Sequence, residues 1–212
     1  MSYQSVLKDD HFKGKTILVT GSGSGFGRCI AHELASLGAT ILMMGRTEEK
    51  LATVKAEIEG DNPGAIVDYG CADIRDAEAV DSVIDKFVAD HGQIHGLVNN
   101  AGGQFPADLE NISPNGFLAV VRTNLLGGFI VSKAVFLKSM KEHGGAIVNI
   151  TADNFGGMPR MSHSGASRAG MENLTQTAAV EWAYAGVRLN AVAPGYLGSS
   201  GLDTYEDPEM VE

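Results

Sequence analysis

Short, nearly continuous apolar runs alternate along this chain with longer segments in which apolar residues recur at helical spacing. Six runs predict strands: TILVT (16–20), ATILMMG (39–45), AIVDYG (65–70), HGLVNN (95–100), AIVNIT (146–151) and VRLNAV (187–192). Strands that are apolar on both faces are typical of a parallel sheet that helices cover on each side. The pattern therefore predicts a parallel sheet between two layers of helices.

The segments between the runs have the apolar stripe of amphipathic helices. Residues 77–91 form one such helix, residues 164–184 form another, and a third is predicted from about Gly127. The stripes of the first two comprise Val80, Val83, Ile84, Phe87 and Val88, and Met171, Leu174, Ala178 and Trp182. Because strands and helices alternate, right-handed crossovers are expected. We predict a doubly wound α/β domain with three layers.

The composition changes only near the end of the chain. No linker or internal repeat divides residues 1–212, so a single domain is predicted. From Gly195 to Glu212 the apolar pattern gives way to Gly, Ser, Pro and five acidic residues. We expect the segment 195–212 to be a flexible loop that contacts the substrate.

The charge balance excludes some classes of partner. Sixteen basic and 26 acidic residues give a net charge of −10, and no basic cluster is present that would bind nucleic acid or an anionic membrane. The N-terminus lacks the apolar core of a signal peptide, and no uninterrupted apolar run has the length of a membrane span. We therefore expect a cytoplasmic protein that binds neither nucleic acid nor membrane.

Cysteine and histidine residues give no sign of a metal or a disulfide. Cys29 and Cys71 fall inside predicted regular elements, so we expect them to be reduced and buried. The six histidines show no spacing of the kind that metal ligands have. No metal site is predicted.

A glycine-rich turn, TGSGSGFG, extends from Thr20 to Gly27, between the first strand and a helix. Glycines there allow a tight turn and the approach of a pyrophosphate, which then lies at the helix N-terminus. Such a turn is weak evidence alone, but its place in the first βαβ unit strengthens it. The candidate phosphate-binding residues are Gly21, Ser22, Gly23, Ser24, Phe26 and Gly27.

The second predicted strand ends in Gly45-Arg46-Thr47. A site selective for NAD(H) would place a carboxylate here to accept the hydrogen bonds of the ribose 2′-hydroxyl. Arg46 instead has a guanidinium that suits a 2′-phosphate, which favours NADP(H). The alternative is a solvated arginine at the start of the next helix, which leaves NAD(H) possible.

Three further motifs follow later strands in a fixed order. They are Ala72-Asp73-Ile74, Asn99-Asn100-Ala101-Gly102 and Ala193-Pro194-Gly195. With the glycine-rich turn, they resemble the short-chain dehydrogenase/reductase family from about Phe12 to Tyr196. The resemblance implies a seven-stranded Rossmann-like domain that binds NAD(H) or NADP(H) at the strand carboxyl ends. Its seventh strand would follow Gly195, where the sequence offers no clear candidate.

The same resemblance implies a role for each motif. Gly21, Ser24, Phe26 and Gly27 would line the pyrophosphate. Asp73 and Ile74 would contact the adenine. Asn100, Ala101 and Gly102 would lie against the adenosine ribose and the central strand. Pro194 and Gly195 would adjoin the nicotinamide.

The catalytic set of the family is Asn, Ser, Tyr and Lys, and this chain departs from it. Asn124 matches the first, but Ala152 stands at the serine position, with Thr151 one residue earlier. Ser164 replaces the tyrosine and Arg168 replaces the lysine. A serine hydroxyl is too weak an acid for the tyrosine's role, and arginine does not release its proton. Loss of a general acid typically costs ~10²–10⁴ in rate, so carbonyl reduction by the usual route is not expected.

Part of the family has a similar altered pattern. HSGASRAG and ENLTQTAAVEWAYAGVRLNAVAPG resemble enoyl-CoA and 2,4-dienoyl-CoA reductases and bacterial citronellol or citronellal dehydrogenases. The dienoyl-CoA reductases use an upstream tyrosine, whose position falls at Asp153 here. Enoyl reduction needs a hydrogen-bond donor at the thioester oxygen, where negative charge develops. We assign that role to Ser164 or Asn124.

The other polar residues nearby have alternative interpretations. Arg168 would clamp the nicotinamide ribose. His163 would either relay a proton or be an ordinary core or surface histidine. Arg160 and Arg168 would be positive charges near a CoA group. Ser164 has the alternative of a simple helix cap.

Three functions therefore stay open. One is an NAD(P)(H)-dependent reductase of an activated C=C bond in an acyl-CoA-like substrate. A second is a cofactor-binding protein with little or no turnover, and a third is an atypical alcohol or aldehyde dehydrogenase of a branched acyclic substrate. The resemblance also implies a homodimer or homotetramer, assembled through the helix from Gly127 and the helix before Trp182, because the former is apolar around most of its circumference.

Overall fold

The computed structural model of the protein describes residues 5–195. Its strands are β1 (Thr16–Thr20), β2 (Thr40–Gly45), β3 (Val67–Cys71), β4 (Gly96–Asn99), β5 (Gly145–Ile150) and β6 (Val187–Val192). They form one parallel sheet in the order β3-β2-β1-β4-β5-β6. The predicted strands are confirmed, with every end within two residues of its expected position. The predicted loop 195–212 lies outside the described residues except for Gly195.

Five helices connect the strands. They are α1 (Gly25–Ser36), α2 (Glu48–Asp61), α3 (Ala77–His91), α4 (Pro114–His143) and α5 (Ser162–Glu181). Helix α3 matches the predicted 77–91 at both ends. Helix α5 was predicted over 164–184; it begins two residues earlier and ends three residues earlier than predicted. Each crossover returns the chain to a parallel strand, as predicted.

Helix α4 starts at Pro114, so the expected start near Gly127 was wrong. Ser113 accepts a hydrogen bond from the Gly116 N–H at 3.1 Å, and proline occupies the first turn, which together form a typical helix start. Two parts of α4 are π-helical, Arg122–Gly127 and Phe136–Met140. The first of these contains Asn124, and such local widening is frequent at functional sites.

The core lies on both faces of the sheet. On one face, strand residues pack under α3, α4 and α5; this cluster includes Leu18, Leu42, Leu97, Ile147, Ile84, Phe87, Val131 and Val135. On the other face they pack under α1 and α2; this cluster includes Ile17, Val19, Ile41, Met43, Ala31, Leu51, Val54 and Ile58. The predicted three-layer, doubly wound architecture is confirmed.

Helix α4 buries one face and exposes the other. Val131, Val135 and Phe136 are buried, and Phe136 stacks on Trp182 with ring centroids 4.2 Å apart. Phe129 and Leu137 remain 39% and 54% exposed. The apolar residues therefore exceed what the sheet covers, which is the basis of the predicted oligomer.

Both cysteines are exposed, so the expectation of burial was wrong. Cys29 lies on the solvent side of α1, whose buried residues are Gly27, Ala31 and Ala35. Cys71 is the last residue of β3, which is an edge strand of the sheet. Membership of a regular element does not by itself determine the face on which a side chain lies.

Helix α4 is also long and apolar enough to cross a membrane, judged by length and composition alone. Its most apolar 18-residue window has a mean hydropathy of 1.4 with at most two charged residues. Half of that window is buried inside the domain. A core helix of a soluble protein has the same length and composition.

Candidate functional site

A cleft of about 300 Å³ opens at the carboxyl ends of the central strands. It lies beside β1, where the strand order turns from β2 on one side to β4 on the other. Ligands of doubly wound sheets bind at this kind of switch point. The lining residues from the sequence analysis are Gly21, Gly23, Ser24, Phe26, Arg46, Asp73, Ile74, Asn100, Ala101 and Gly102.

The glycine-rich turn is tightly built. Gly21 has a φ of +67° and donates a hydrogen bond from its N–H to Met44 O at 2.8 Å. A Cβ on Gly21 would lie 2.9 Å from Ala101 Cα, and a Cβ on Gly27 would collide with Gly21 O. Only glycine fits both positions, because one needs the left-handed conformation and the other a direct backbone contact.

The turn leads into α1 with its first N–H groups directed out of the helix end. The N-cap, Ser24, makes no side-chain hydrogen bond to them, and the first turn contains no acidic residue. Unsatisfied N–H groups and the helix dipole make such an end favourable for a phosphate. The residues present therefore fit the pyrophosphate of a dinucleotide.

Thr20 fixes the turn against the end of β4. Its Oγ1 accepts hydrogen bonds from the N–H groups of Asn100 and Ala101, both at 3.0 Å. In return, Asn100 Nδ2 donates to Thr20 O at 3.0 Å. The two motifs at the floor of the cleft are thus one hydrogen-bonded unit.

Charged groups lie at the end of the cleft next to β2 and β3. Asp73 accepts hydrogen bonds from Arg75 Nε at 2.9 Å and Arg75 Nη2 at 2.5 Å. These bonds hold the pKa of the Asp73 carboxyl at about 2. Arg46 and Lys50 also line the cleft here, and neither forms an ion pair with a carboxylate within the part of the chain that the structure describes. Ile74 forms an apolar wall beside them.

Five predicted cofactor residues do not line this cleft, and one of them, Arg168, is described with the catalytic residues below. Ser22 and Gly27 are buried behind the turn, and Ser22 Oγ has no hydrogen-bond partner. Pro194 and Gly195 follow β6, where Pro194 O accepts a hydrogen bond from the Asp153 N–H at 3.4 Å. They adjoin the loop after β5 rather than the adenosine end of the cleft.

The candidate catalytic residues gather around the loop that follows β4. Asn124 is buried, and its Oδ1 accepts a hydrogen bond from the Gly103 N–H at 2.8 Å. Ser164 Oγ donates to Gln104 Oε1 at 2.7 Å. Arg168 Nη1 donates to Ile150 O at 2.7 Å. The three residues are therefore brought together by residues 102–104 and the end of β5.

Arg168 is a partly buried cation whose Nε is shielded from solvent. Burial lowers the pKa of its guanidinium, which has no ion pair among residues 5–195, and its Nε has no hydrogen-bond partner. A Cβ on Gly102 would lie 2.8 Å from Arg168 Nη2 and 3.1 Å from Asn124 Oδ1. The absence of a Cβ at Gly102 thus leaves space for the Arg168 guanidinium to pack against the loop. An electron-rich oxygen of a ligand would offset the free-energy cost of burying this charge.

Ser164 is fully buried and does not cap a helix. Helix α5 begins at Ser162 with Met161 as its N-cap, so Ser164 is already inside the first turn. The backbone carbonyl oxygen of Ser164 accepts a hydrogen bond from Ser167 Oγ at 2.9 Å. The alternative that Ser164 is a helix cap was therefore wrong.

The contacts of His163 are those of an ordinary core histidine, one of the two interpretations from the sequence. It is fully buried, its Nδ1 accepts a hydrogen bond from the Ser164 N–H at 2.8 Å, and Phe105 meets its ring edge-on at 4.5 Å between centroids. Burial lowers the pKa of the imidazole, which keeps it neutral at physiological pH. His163 does not line the cleft.

Arg160 is engaged with the neighbouring loop. Its Nε lies 3.4 Å from Asp108 Oδ1, and its O accepts a hydrogen bond from the Ala107 N–H at 2.8 Å. The positive charge expected to attract a CoA group is therefore partly neutralised by a carboxylate.

Three residues at the site were missed by sequence reasoning: Lys50, Arg75 and Gln104. The two cations lie on a helix and in a loop, where charged residues are usually solvated and give no motif. Gln104 directly follows NNAGG, and no spacing rule singles out a loop glutamine. Only the hydrogen bond to Ser164 identifies it.

Comparison with known proteins bears on this cleft. The family model of short chain dehydrogenases matches residues 15–209. A peroxisomal 2,4-dienoyl-CoA reductase from Danio rerio is 31% identical over 96% of this chain and 67% of its own length. The chain thus spans about two thirds of that relative.

Solved structures give the same result. A citronellol catabolism dehydrogenase (AtuB) from Pseudomonas aeruginosa PAO1 has a TM-score of 0.88 at 55% identity, covering 92% of this chain and 79% of the other. An NAD⁺-bound xylitol dehydrogenase has a TM-score of 0.88 at 31% identity, covering 95% and 83%. This family consists of oxidoreductases that bind NAD(P)(H). The chain belongs to the short-chain dehydrogenase family.

Proposed function

We propose that the protein is an oxidoreductase that prefers NADP(H) and reduces the activated C=C bond of an enoyl-CoA-like substrate. The observation that carries the proposal is the composition of the catalytic position. There Ser164, Asn124 and Gln104 are neutral hydrogen-bonding groups, and Arg168 is a permanent cation. These groups stabilise negative charge on an oxygen, but they do not transfer protons readily at neutral pH.

The cofactor would be held by the residues of the cleft. The Gly21 turn and the N-terminus of α1 would bind the pyrophosphate, and Asp73 and Ile74 the adenine. Arg46 with Lys50 would bind the 2′-phosphate, and Arg168 the nicotinamide ribose. The reduced nicotinamide supplies a hydride when bound.

The chain's own contribution is to the thioester oxygen. When the β-carbon of the substrate gains a hydride, the electron pair of the C=C bond moves toward that oxygen. Hydrogen-bond donors in place there stabilise the enolate, and water then protonates the α-carbon. No side chain has to act as a general acid, which matches the replacement of tyrosine by Ser164.

The direct test is the oxidation of NADPH with crotonyl-CoA and longer enoyl-CoA thioesters, followed by absorbance of the reduced nicotinamide. Steady turnover with a thioester supports the proposal. Binding of NADPH without reduction of thioesters or enones would instead indicate a cofactor-binding protein with little turnover.

A second candidate is the oxidation or reduction of a branched acyclic alcohol or aldehyde. The 55% identity to a protein named for citronellol catabolism favours it. Alcohol oxidation needs a base, and Asp153, exposed in the loop after β5, stands at the position of the upstream tyrosine of the dienoyl-CoA reductases. Asp153→Asn should abolish alcohol oxidation, whereas it should leave enoyl reduction largely unchanged.

The proposed substrate is a small molecule, and nothing in the proposal requires nucleic acid or membrane. The cytoplasmic location stays a prediction, because relatives include peroxisomal and bacterial enzymes. The homodimer or homotetramer is likewise a prediction.

A further inference from the structure

Both oxygens of the Asp73 carboxylate are occupied by a single arginine. Oδ1 accepts hydrogen bonds from the Arg75 backbone N–H at 3.0 Å and from Arg75 Nε at 2.9 Å. Oδ2 accepts hydrogen bonds from the same Nε at 3.1 Å and from Arg75 Nη2 at 2.5 Å. An ionised carboxylate has about four lone-pair positions, so Arg75 leaves Asp73 without a free acceptor for a donor group of a ligand.

The Arg75 side chain, in contrast, has donors that Asp73 does not use. A guanidinium carries five N–H groups, and one on Nε and one on Nη2 bond the carboxylate. Among residues 5–195, Asp73 is the one hydrogen-bond partner of this side chain, so the other N–H groups can bond a ligand. The side chain is 40% exposed and lines the cleft. The side chains of this pair therefore present donors to the cleft and no free acceptor.

A dinucleotide in this cleft would direct its purine toward the same pair. With the pyrophosphate at the Gly21 turn and the ribose beside Arg46, the base extends toward Asp73 and Arg75. The 6-position of a purine lies opposite the bond to the ribose, so its substituent reaches furthest from the turn. The 6-amino group of adenine donates hydrogen bonds, whereas the 6-oxo group of hypoxanthine accepts them. Arginine pairs readily with the O6 and N7 acceptors of a 6-oxopurine.

The face of the base would rest on Ile74, which is fixed by the helix behind it. Ile74 lines the cleft although it is only 7% exposed. A Cβ on Gly127, in the first π-helical part of α4, would lie 2.6 Å from Ile74 Cδ1, so the helix backbone packs directly on this side chain. An apolar wall holds any purine by its face and does not distinguish a 6-amino from a 6-oxo group. The choice between bases is therefore made at the edge of the base, where Arg75 lies.

We propose that Arg75 sets the base preference of the cofactor site, so that the protein binds nicotinamide dinucleotides of hypoxanthine at least as tightly as those of adenine. Asp73 is then a positioning residue, which holds the guanidinium in place instead of accepting a hydrogen bond from the amino group of adenine. The inference depends only on the binding of a dinucleotide in the cleft. It is the same whether the substrate is a thioester, an aldehyde or an alcohol.

Titration of the fluorescence of the reduced nicotinamide tests the inference without any substrate. The two probes are NADPH and reduced nicotinamide hypoxanthine dinucleotide phosphate, in which a 6-oxo group replaces the 6-amino group. The parent should bind the hypoxanthine form about fivefold more tightly, because a charged donor meets an acceptor in that base and a donor in adenine. Arg75→Ala removes the donor and frees the Asp73 carboxylate, which accepts from an amino group and repels O6. The preference should therefore reverse, with the adenine form bound about fivefold more tightly.

Arg28→Ala is the matched control, because Arg28 also pairs with a carboxylate, Glu57 at 2.7 Å, but does not line the cleft. It should leave the ratio of the two affinities unchanged. This ratio excludes a merely structural role of Arg75, since a general loss of folding would weaken the binding of both dinucleotides alike. A parent that binds the adenine form more tightly would overturn the proposal, and so would a ratio in Arg75→Ala equal to that in Arg28→Ala. A parent that binds neither dinucleotide contradicts it as well.

Discussion

Replacing Arg46 with aspartate should reverse the cofactor preference. Arg46 is exposed at the end of β2, lines the cleft and has no ion pair among the described residues, so its guanidinium is available to a ligand phosphate. The nearby carboxylate of Asp73 is already held by Arg75 at 2.5 Å and does not compete strongly for Arg46. Arg46→Asp thus removes a cation and adds an anion at the position that a 2′-phosphate would occupy.

The magnitude follows from two contributions. A hydrogen bond between charged groups contributes about 1.5–3 kcal/mol, and we take about 1.5 kcal/mol because the site is open to water. Repulsion between the new carboxylate and the phosphate adds about 1 kcal/mol at high dielectric. The total of about 2.5 kcal/mol weakens NADPH binding by about 60-fold. For NADH, a hydrogen bond from the 2′-hydroxyl to the aspartate should add about 1 kcal/mol, or about fivefold.

Fluorescence titration of NADPH and NADH with the parent and the variant measures these changes. Lys55→Asp is the matched control, because it makes the same change in net charge on α2, where Lys55 pairs with Glu59 at 3.7 Å rather than with the cleft. Equal affinities of the parent for the two cofactors would refute the reasoning. So would a shift in Arg46→Asp no larger than that in Lys55→Asp.

Three further predictions concern the glycine-rich turn, the Asp73 carboxyl and the oligomeric state. Gly27→Ala should abolish cofactor binding in calorimetry, since the alanine Cβ would collide with Gly21 O. Retained affinity would contradict the assignment of the glycine-rich turn as the pyrophosphate site. Arg75→Ala should raise the pKa of Asp73 from about 2 in a carboxyl NMR titration. Because that pKa is depressed in the folded protein, the ion pair stabilises the fold above about pH 4 and is lost as pH falls toward 2. Light scattering at micromolar concentration should give the mass of a dimer or tetramer, because α4 exposes apolar residues, such as Leu137, that a second subunit would bury. A monomer mass would exclude the predicted oligomer.

The fold was predictable from sequence because the central strands β1 and β2 are apolar on both faces and the other strands are short apolar runs at regular spacing. TILVT is buried along its whole length as β1, whereas VRLNAV, which forms β6, alternates between buried Val187 and Leu189 and exposed Arg188 and Asn190; the ends of both runs coincide with the strands. The helix 77–91 was placed correctly for a similar reason, since Asp76 caps it by accepting hydrogen bonds from Glu78 N and Ala79 N. A strong local pattern and the tertiary structure agree in these elements.

The misplaced start of α4 has a different cause. Between Pro114 and Gly127 the helix is partly exposed and widens into a π-helical segment, so its apolar residues do not recur with a period of 3.6. Ser113 and Pro114 form the local start signal of the helix, ahead of the regular apolar stripe. The start of an irregular helix is therefore better predicted from its capping residues than from the spacing of its apolar residues.

At the site, backbone-dictated features were predictable and side-chain pairings were not. The glycine turn follows from steric demand, which only glycine meets at Gly21 and Gly27. The contacts of Ser164 with Gln104 and of Arg168 with Ile150 O join residues that are 60 and 18 positions apart. No local pattern encodes such contacts, because they depend on how the loops after β4 and β5 meet.

The protonation chemistry of these contacts discriminates between the candidate reactions. Alcohol oxidation requires a group that accepts a proton, whereas Arg168 keeps its proton and His163 is buried with a lowered pKa, away from the cleft. Reduction of a C=C bond next to a carbonyl requires only that negative charge on an oxygen be stabilised. A partly buried guanidinium beside neutral donors creates that environment without a titratable group. The arrangement therefore favours enolate formation, and a base for alcohol oxidation would have to come from the loop that holds Asp153 or from residues beyond Gly195.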